Sequence, residues 1–500
     1  MACKHVSTTV WIIKLIRPNR FRWVYCQLEA LRHCFPGRVR HMLKELPESL
    51  DGTYERIVRG INKANREHAH RLLQCLTVAS RPLRVSELAE VLAVDFGTAS
   101  GGEASKLETD WRWEDQEDAI LSTCSSLIAV VDEDEDASRA MGHPHLHSSR
   151  AVQFSHFSVK EFLTSPRLST SNADVSRFQI LLEPAHMIMA RACLGTLLRL
   201  DDTCGQYNVG TRFPLARYAA EHWVTHAQFE DVSSHFREGM QTLFDPDKPY
   251  FAAWIRIYDI DVVPAGTSTF WYFSDKTSDA APLYYAALCG FHDLVEHLIN
   301  KCSQEVNAIG GFYVSPLAAA LSMEQFEVAD LLYQHGAHVD VRGFINSTPL
   351  YSASREGNLG IVQWLLRRVA DPNHQNYEHR TALHGAALGG RLEVAQTLLQ
   401  HNADPNIQDH DGDTPLNEAS RFGNTNVARM FLELGVDVNA PRKDGSTPLH
   451  TASKYGRFEV ARVLIEHGAD RDAEDNKGRT PFQVAMNRDM GELLSDHGSK

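Results

Sequence analysis

The glycine-rich phosphate loop G-x-x-x-x-G-K-[ST] is missing from these 500 residues, as is the G-x-S-x-G elbow of serine hydrolases. Without a backbone nest and its lysine, nucleotide phosphates have no cradle, and without the elbow an α/β-hydrolase serine has no seat. Cysteine is sparse. The nine residues (3, 26, 34, 75, 124, 193, 204, 289 and 302) are odd in number and never form a C-x-x-C pair. That pattern excludes a zinc ribbon and a disulfide framework, and reads as a reduced intracellular protein. No apolar run approaches the ~18 residues of a membrane span, and the best N-terminal stretch, "VWIIKLI", is broken by Lys14. Positive charge is also short. Lys and Arg number 50 against 64 Asp and Glu, a net charge of −14, which argues against a general nucleic-acid binder. Hydrophobic content of 43% and charged content of 23% fit a globular chain of two or three domains.

Several short motifs suggest chemistry and do not sustain it. "DFG" at 95–97 has no glycine-rich loop or H-R-D element beside it. "HPHLH" sets His143, His145 and His147 on alternate positions near the acids of 132–136, where a metal site could be drawn and a solvated polar loop reads better. The stretch before Glu29 lacks acids and carries Lys4, Lys14, Arg17, Arg20 and Arg22, which permits a presequence but equally a basic helix face. Over residues 1–46 nine Lys and Arg stand against two acids, and such an arm could meet an acidic partner.

What the chain has in quantity is repetition. "APLY" at 281, "SPLA" at 315, "TPLY" at 348, "TALH" at 381, "TPLN" at 414, "TPLH" at 447 and "TPFQ" at 480 recur at one spacing of 34 and five of 33. The fullest copy begins "DGSTPLHTASKYGRFEVARVLIEHGAD". Asp444–Gly445 predicts a tight turn, Thr447 an N-cap and Pro448 the first helical position. Leu449 and Ala452 would face inward, and Gly456 would end that helix. Val460, Ala461, Leu464 and Ile465 then mark a second helix closed by Gly468. Helices under ~12–15 residues are marginal alone, so each unit must bury itself against its copies.

A 33-residue unit of a turn and two helices with this signature resembles the ankyrin repeat. The resemblance covers 281–500 as seven copies, the last a shortened, polar cap. It implies a solenoid whose concave side, made of hairpin tips and the residues closing each first helix, meets a protein partner. The closing pairs are Leu288–Cys289, Ser322–Met323, Arg355–Glu356, Leu388–Gly389, Arg421–Phe422 and Lys454–Tyr455; the tips include Phe312, Tyr313, Phe344, Ile345, Tyr377, His410, Lys443 and Lys477. Met323, Phe344, Arg355, Glu356, Tyr377, Leu388, Phe422, Lys454 and Tyr455 are the candidate contact residues; Met323, Phe344, Tyr377, Phe422 and Tyr455 stand out, because large apolar or aromatic groups at exposed positions are typical anchors.

The first half reads as helices around Leu50–Ile61, Leu72–Leu76 and Leu88–Leu92, the last capped by Ser86, then a helix running from "EDAIL" into a strand. A loop at 132–150 returns through "AVQFSHFSVKEFL" as a second strand and a helix. Three helices and a two-stranded wing form a winged-helix plan. Its candidate recognition helix opens with Glu114, Asp115, Glu117 and Asp118, which would repel phosphates. "FRWVYCQLEALR", "LPESLDGTYERI", "RPLRVSELAEVLAVD" and "VQFSHFSVKEFL" resemble the segment after the nucleotide-binding core of fungal NACHT–ankyrin proteins, relatives of NOD-like receptors, including their GPI inositol-deacylase-type winged helix.

The resulting expectation is a mainly α chain: a helical remnant at 1–46, a helical and winged-helix domain at 47–166, a helical connector at 167–280 and ankyrin repeats at 281–500. "FAAWIRIYDIDVV" and "TFWYF" (Trp254, Ile255, Ile257, Phe270, Trp271, Phe273) are expected to cover the front of the array. The resemblance implies a non-enzymatic, cytoplasmic protein (a nuclear site being the other option) in fungal non-self or stress signalling. It would bind a protein and need no cofactor, metal, nucleic acid, membrane or small-molecule substrate. The alternative is a fragment or regulatory partner of a NACHT-type signalling ATPase, the NACHT core being lost by truncation or by the gene model.

Overall fold

The computed structural model describes residues 49–94, 116–124, 126–132, 150–200, 209–261, 280–340, 348–368 and 370–495. The 1–46 arm, the "DFG" triplet, the three loop histidines, Phe344, Ile345 and 270–273 lie outside them. The chain divides into two compact units, Met1–Ile260 and Asp261–Lys500.

In the first unit α1 (Leu50–Gly60) is capped by Ser49, whose hydroxyl accepts from the Gly52 N–H at 3.0 Å. Tyr54 and Val58 are its fully buried stripe, and Tyr54 Oη reaches Ser158 Oγ at 2.8 Å. α2 (Arg66–Val78) buries Leu72 and Leu73 completely. Next comes a strand absent from the sequence reading, β1 (Leu83–Arg84), because two residues carry no alternation to detect. It leads into α3 (Val85–Leu92), α4 (Gln116–Cys124), β2 (Ile128–Asp132) and β3 (Arg150–Phe154). All pairing is antiparallel in the order β1-β3-β2, with Val152 opposite both Leu83 and Val130.

The start of α3 differs from expectation. Ser86 lies inside the helix, and the cap is built by buried Glu87. Its carboxylate accepts the Arg84 N–H at 2.8 Å and two bonds from Arg81 at 2.8 and 2.7 Å. A bidentate guanidinium satisfies this acid better than a serine hydroxyl satisfies a helix end. Glu117 of α4 pairs with Arg150 of β3, so one of the four acids on the candidate recognition helix is internally neutralised.

Beyond α5 (Phe157–Thr164), α6 (Leu182–Leu197) packs on α7 (Ala216–Ala227), and the small residues Ala185, Ala192, Cys193, Thr196 and Ala219 of the two helices are buried. Trp254, expected to cover the front of the array, has ring partners in its own unit. On α8 (Tyr250–Ile257) it is fully buried within the first unit, 5.3 Å from the Trp223 ring and 5.6 Å from Phe244, its indole N–H donating to the Ala220 carbonyl. A tryptophan finds most apolar surface in its own aromatic cluster.

The second unit repeats one motif. Its helix pairs are Pro282–Leu288 with His292–Asn300, Pro316–Ser322 with Phe326–Gln334, Pro349–Glu356 with Leu359–Arg367, Ala382–Gly389 with Leu392–Gln400, Pro415–Phe422 with Thr425–Glu433, and Pro448–Lys454 with Phe458–Glu466. Leu350, Leu383, Leu416 and Leu449 are nearly or fully buried between neighbouring repeats. Each such side chain contributes about 1.5–3 kcal/mol. In the sixth pair Thr447 is the cap and Val463 replaces Ile465 as the buried residue. The last copy departs from a polar cap. Its first helix is reduced to turns at 481–484, only Arg488–Ser495 is helical, and Phe482 and Met486 are exposed. Phe482 stands one repeat period after buried Leu449.

The histidines of the motif are struts. His384 Nδ1 accepts the Thr381 N–H at 3.2 Å, which places the ring proton on Nε2, and that atom donates to the Asp413 carbonyl at 2.9 Å. His450 repeats this with Thr447 and the Arg479 carbonyl. Asn417 occupies the same place in the fifth repeat, is fully buried, and neither amide atom finds a partner. Asn417→His is therefore expected to stabilise the array by about 1–2 kcal/mol by restoring the missing strut. Guanidinium unfolding followed by circular dichroism checks it, and an unchanged or lower midpoint rejects it.

Candidate protein-binding face

Repeats 3 to 6 share a corner built from the two residues that close the first helix, a glycine, and the residue ahead of the second helix. Gly357, Gly390, Gly423 and Gly456 hold the corner with φ between +65° and +88°, a region that glycine enters without strain. Each corner is locked to its neighbour. Arg391 Nε donates to the Arg355 carbonyl at 3.3 Å, Asn424 Nδ2 to the Ala387 and Leu388 carbonyls at 2.7 and 3.0 Å, and Arg457 Nε to the Arg421 carbonyl at 2.9 Å. The next bond in the series comes from the Met486 backbone N–H to the Ser453 carbonyl at 3.0 Å. The tips form a second ladder, His410 N–H to the Glu378 carbonyl, Lys443 N–H to Asp411 and Asn476 N–H to Asp444, at 2.8, 3.1 and 3.0 Å. Side chains on corners and tips are thus presented by a rigid frame.

The candidate residues divide on this frame. Phe422 is 44% exposed, Tyr455 39%, Met323 44% and Tyr377 73%. Arg355, Glu356 and Lys454 are exposed too, and the Lys454 ammonium lies 5.5 Å from the Tyr455 ring centre. Leu388 is only half-buried and Phe344 lies outside the described residues. The first closing pair is corrected: Leu288 and Cys289 are buried, and burial pushes the Cys289 thiol upward, so they belong to the core. Arg391, Arg457 and Met486 join the face without being sequence candidates, although the one-period register that links 358, 391, 424 and 457 points to the first two.

Beneath this face three buried carboxylates, Asp409, Asp413 and Glu418, converge with oxygens within 4.8 Å of one another. Three guanidiniums already occupy the space. Arg380 reaches Asp409 and Glu418, each at 3.0 Å, Arg421 reaches Asp413 at 2.7 Å, and Arg442 reaches Asp413 at 2.6 Å. Charges balance three to three, so the cluster is an internal salt network rather than a cation site. Burial pulls Glu418 and Asp413 upward; at Asp409 burial is outweighed by hydrogen bonds from Arg380 and from the Asp413 and Asp411 N–H groups, and its carboxyl lies low.

Family models for ankyrin repeats match residues 350–442 and 416–500 in a three-copy form and 317–366 in a many-copy form. Residues 317–500 are ankyrin repeats. The helix pair at 282–300 has the same form ahead of the matched span. Two fungal relatives are similar to the chain. One, the azaphilone pigments biosynthesis cluster protein L of Monascus ruber, is 30% identical over 306 residues, 59% of this chain and 61% of that protein. The other, ankyrin repeat protein nuc-2 of Neurospora crassa, is 28% identical over 89 residues, 18% of this chain and 8% of that protein. The chain thus spans about three-fifths of the first relative and a small part of the second. The first match is longer than the repeat array, so the likeness reaches into the other unit.

Proposed function

We propose that the chain is a non-catalytic recognition protein whose ankyrin repeats grip a protein partner through the corner ridge. The observation that carries this reading is the presence of exposed Phe422 and Tyr455, one repeat apart, on corners fixed by glycine and by bonds between repeats. Large rings held rigidly in water lose little entropy on binding and bury much area. Met323, Arg355, Glu356, Tyr377, Leu388 and Lys454 would complete the contact.

The order helix, strand, two helices, two strands over 66–154, with β3 between β1 and β2, supports the reading of 47–166 as a helical and winged-helix domain. Such a module beside ankyrin repeats is in keeping with a cytoplasmic part in fungal signalling, in or alongside a NACHT-type system, and the relative named for a pigment biosynthesis cluster suggests a link to such a cluster. Among the described residues no helix is long and apolar enough to cross a membrane.

The test is recovery of partners on immobilised full chain, wild type against Phe422→Asp/Tyr455→Asp. Recovery of specific partners should fall at least tenfold with an unchanged thermal midpoint. Equal recovery would remove the ridge from the binding mechanism.

A further inference from the structure

The corner ridge differs in charge from the chain that carries it. Across repeats 3 to 6 its sixteen corner positions contain one acid, Glu356, and five cations, Arg355, Arg391, Arg421, Lys454 and Arg457, whereas the whole chain is at −14. Arg421 is neutralised by buried Asp413. The other four have no carboxylate within ion-pair distance among the described residues. Arg391 and Arg457 each commit Nε to a backbone carbonyl, which fixes the guanidinium without cancelling its charge, and Lys454 rests over the Tyr455 ring. Elsewhere in the array arginines such as Arg380, Arg442 and Arg479 have acid partners. Unpaired cations in register, interleaved with exposed Phe422 and Tyr455, make a surface complementary to negative charge and apolar groups together.

Resting on the recognition reading above, we infer that the partner presents an acidic segment with interspersed large apolar side chains, the carboxylates meeting Arg355, Arg391, Lys454 and Arg457 and the apolar groups meeting Phe422 and Tyr455. Guanidiniums suit carboxylates by their planar fork, and the two rings require apolar mates that a plain polyanion does not supply. A single-stranded nucleic acid would meet the cations with phosphates and stack bases on the rings, so it is the rival that the test separates; the net charge of −14 weighs against it.

The probe is a random 12-residue peptide display library selected on the full-length chain, with counter-selection on Phe422→Asp/Tyr455→Asp. The selected pool should be enriched in Asp and Glu together with Phe, Leu or Trp. Affinity of its best members should fall at least tenfold in Arg355→Glu/Lys454→Glu, and again between 50 and 500 mM NaCl, while Arg462→Glu, on the second helix of the sixth repeat, changes nothing. Unaltered circular dichroism melts show that the variants fold. A neutral or basic pool, or acidic peptides indifferent to the Arg355→Glu/Lys454→Glu pair, overturns the charge inference and leaves the recognition reading standing. No enrichment above bare support overturns it as well, and the Phe422→Asp/Tyr455→Asp recovery experiment then decides the recognition reading separately. A 20-nucleotide single strand that binds as tightly as the best peptide, and loses binding in the same charge variant, overturns it in favour of nucleic acid.

Discussion

Replacing Arg380 by methionine is expected to destabilise the middle of the array by about 3–5 kcal/mol, the usual cost of leaving a buried charge without its partner. Arg380 bridges two repeats. It pairs with Glu418 and Asp409, both buried, and with the more exposed Glu378. Methionine preserves most of the aliphatic bulk, so the loss would report charge rather than a cavity. Hydrogen exchange followed by mass spectrometry should show amides of 380–455 losing protection while those of the first unit keep theirs, since repeat stability is a sum of local and neighbour contributions. Adding Glu418→Gln should return part of the loss by removing one of the stranded charges, and the double-mutant cycle would give the coupling. Arg380→Met without change in exchange would show that Arg421 and Arg442 alone hold the three acids.

This network is not legible in the sequence, whereas much of the frame around it is. The repeat period, the Thr caps, the glycine corners and the leucine layer follow from patterns within one unit, and each unit restates them. Arg380, by contrast, meets Asp409 and Glu418 across a boundary between repeats, each pair at a separation of its own. No local rule of spacing joins them. The same reason hides the corner arginines: the bonds of Arg391 and Arg457 to the preceding repeat join residues 36 apart, a separation that no pattern within one unit marks. Burial misleads in the opposite sense. Trp254 reads as a cover for the array because an apolar helix near a repeat boundary suggests one, and the sequence gives no sign of its contacts with Trp223 and Phe244. The exposed rings are legible from their place in the repeat: Phe422 and Tyr455 stand one period apart, just ahead of a glycine, where earlier repeats carry Glu356 and Gly389.

Acid should loosen the array well before its carboxylates titrate in full. Burial, the largest influence, carries the His384 imidazole down to about 4, with Arg380 acting in the same direction and the Asp413 carbonyl and Asp409 opposing it. In the unfolded chain the ring titrates near 6.5. Because the folded value is the lower one, the unfolded state binds the proton more tightly. The contribution of His384 is complete above about pH 6.5 and is lost as pH falls towards 4, amounting to about 3 kcal/mol over that window. Structurally, a second ring proton would appear on Nδ1, where the Thr381 N–H already donates, so the capping bond and the grip on the cap would fail together. In the first unit His226, bonded to Tyr218 and His186, is carried down to about 3 by burial and by His186 and His222, and shifts in the same direction. Guanidinium midpoints for the array, followed by hydrogen exchange at pH 7.5, 6.0 and 4.5, should therefore decline with acidity in wild type. In His384→Gln, which keeps a hydrogen-bonding side chain without a titrating ring, the starting midpoint should be lower and the decline between pH 6.5 and 4.5 shallower. An equal slope in the two proteins would move the acid sensitivity away from His384 to the buried salt network beside it.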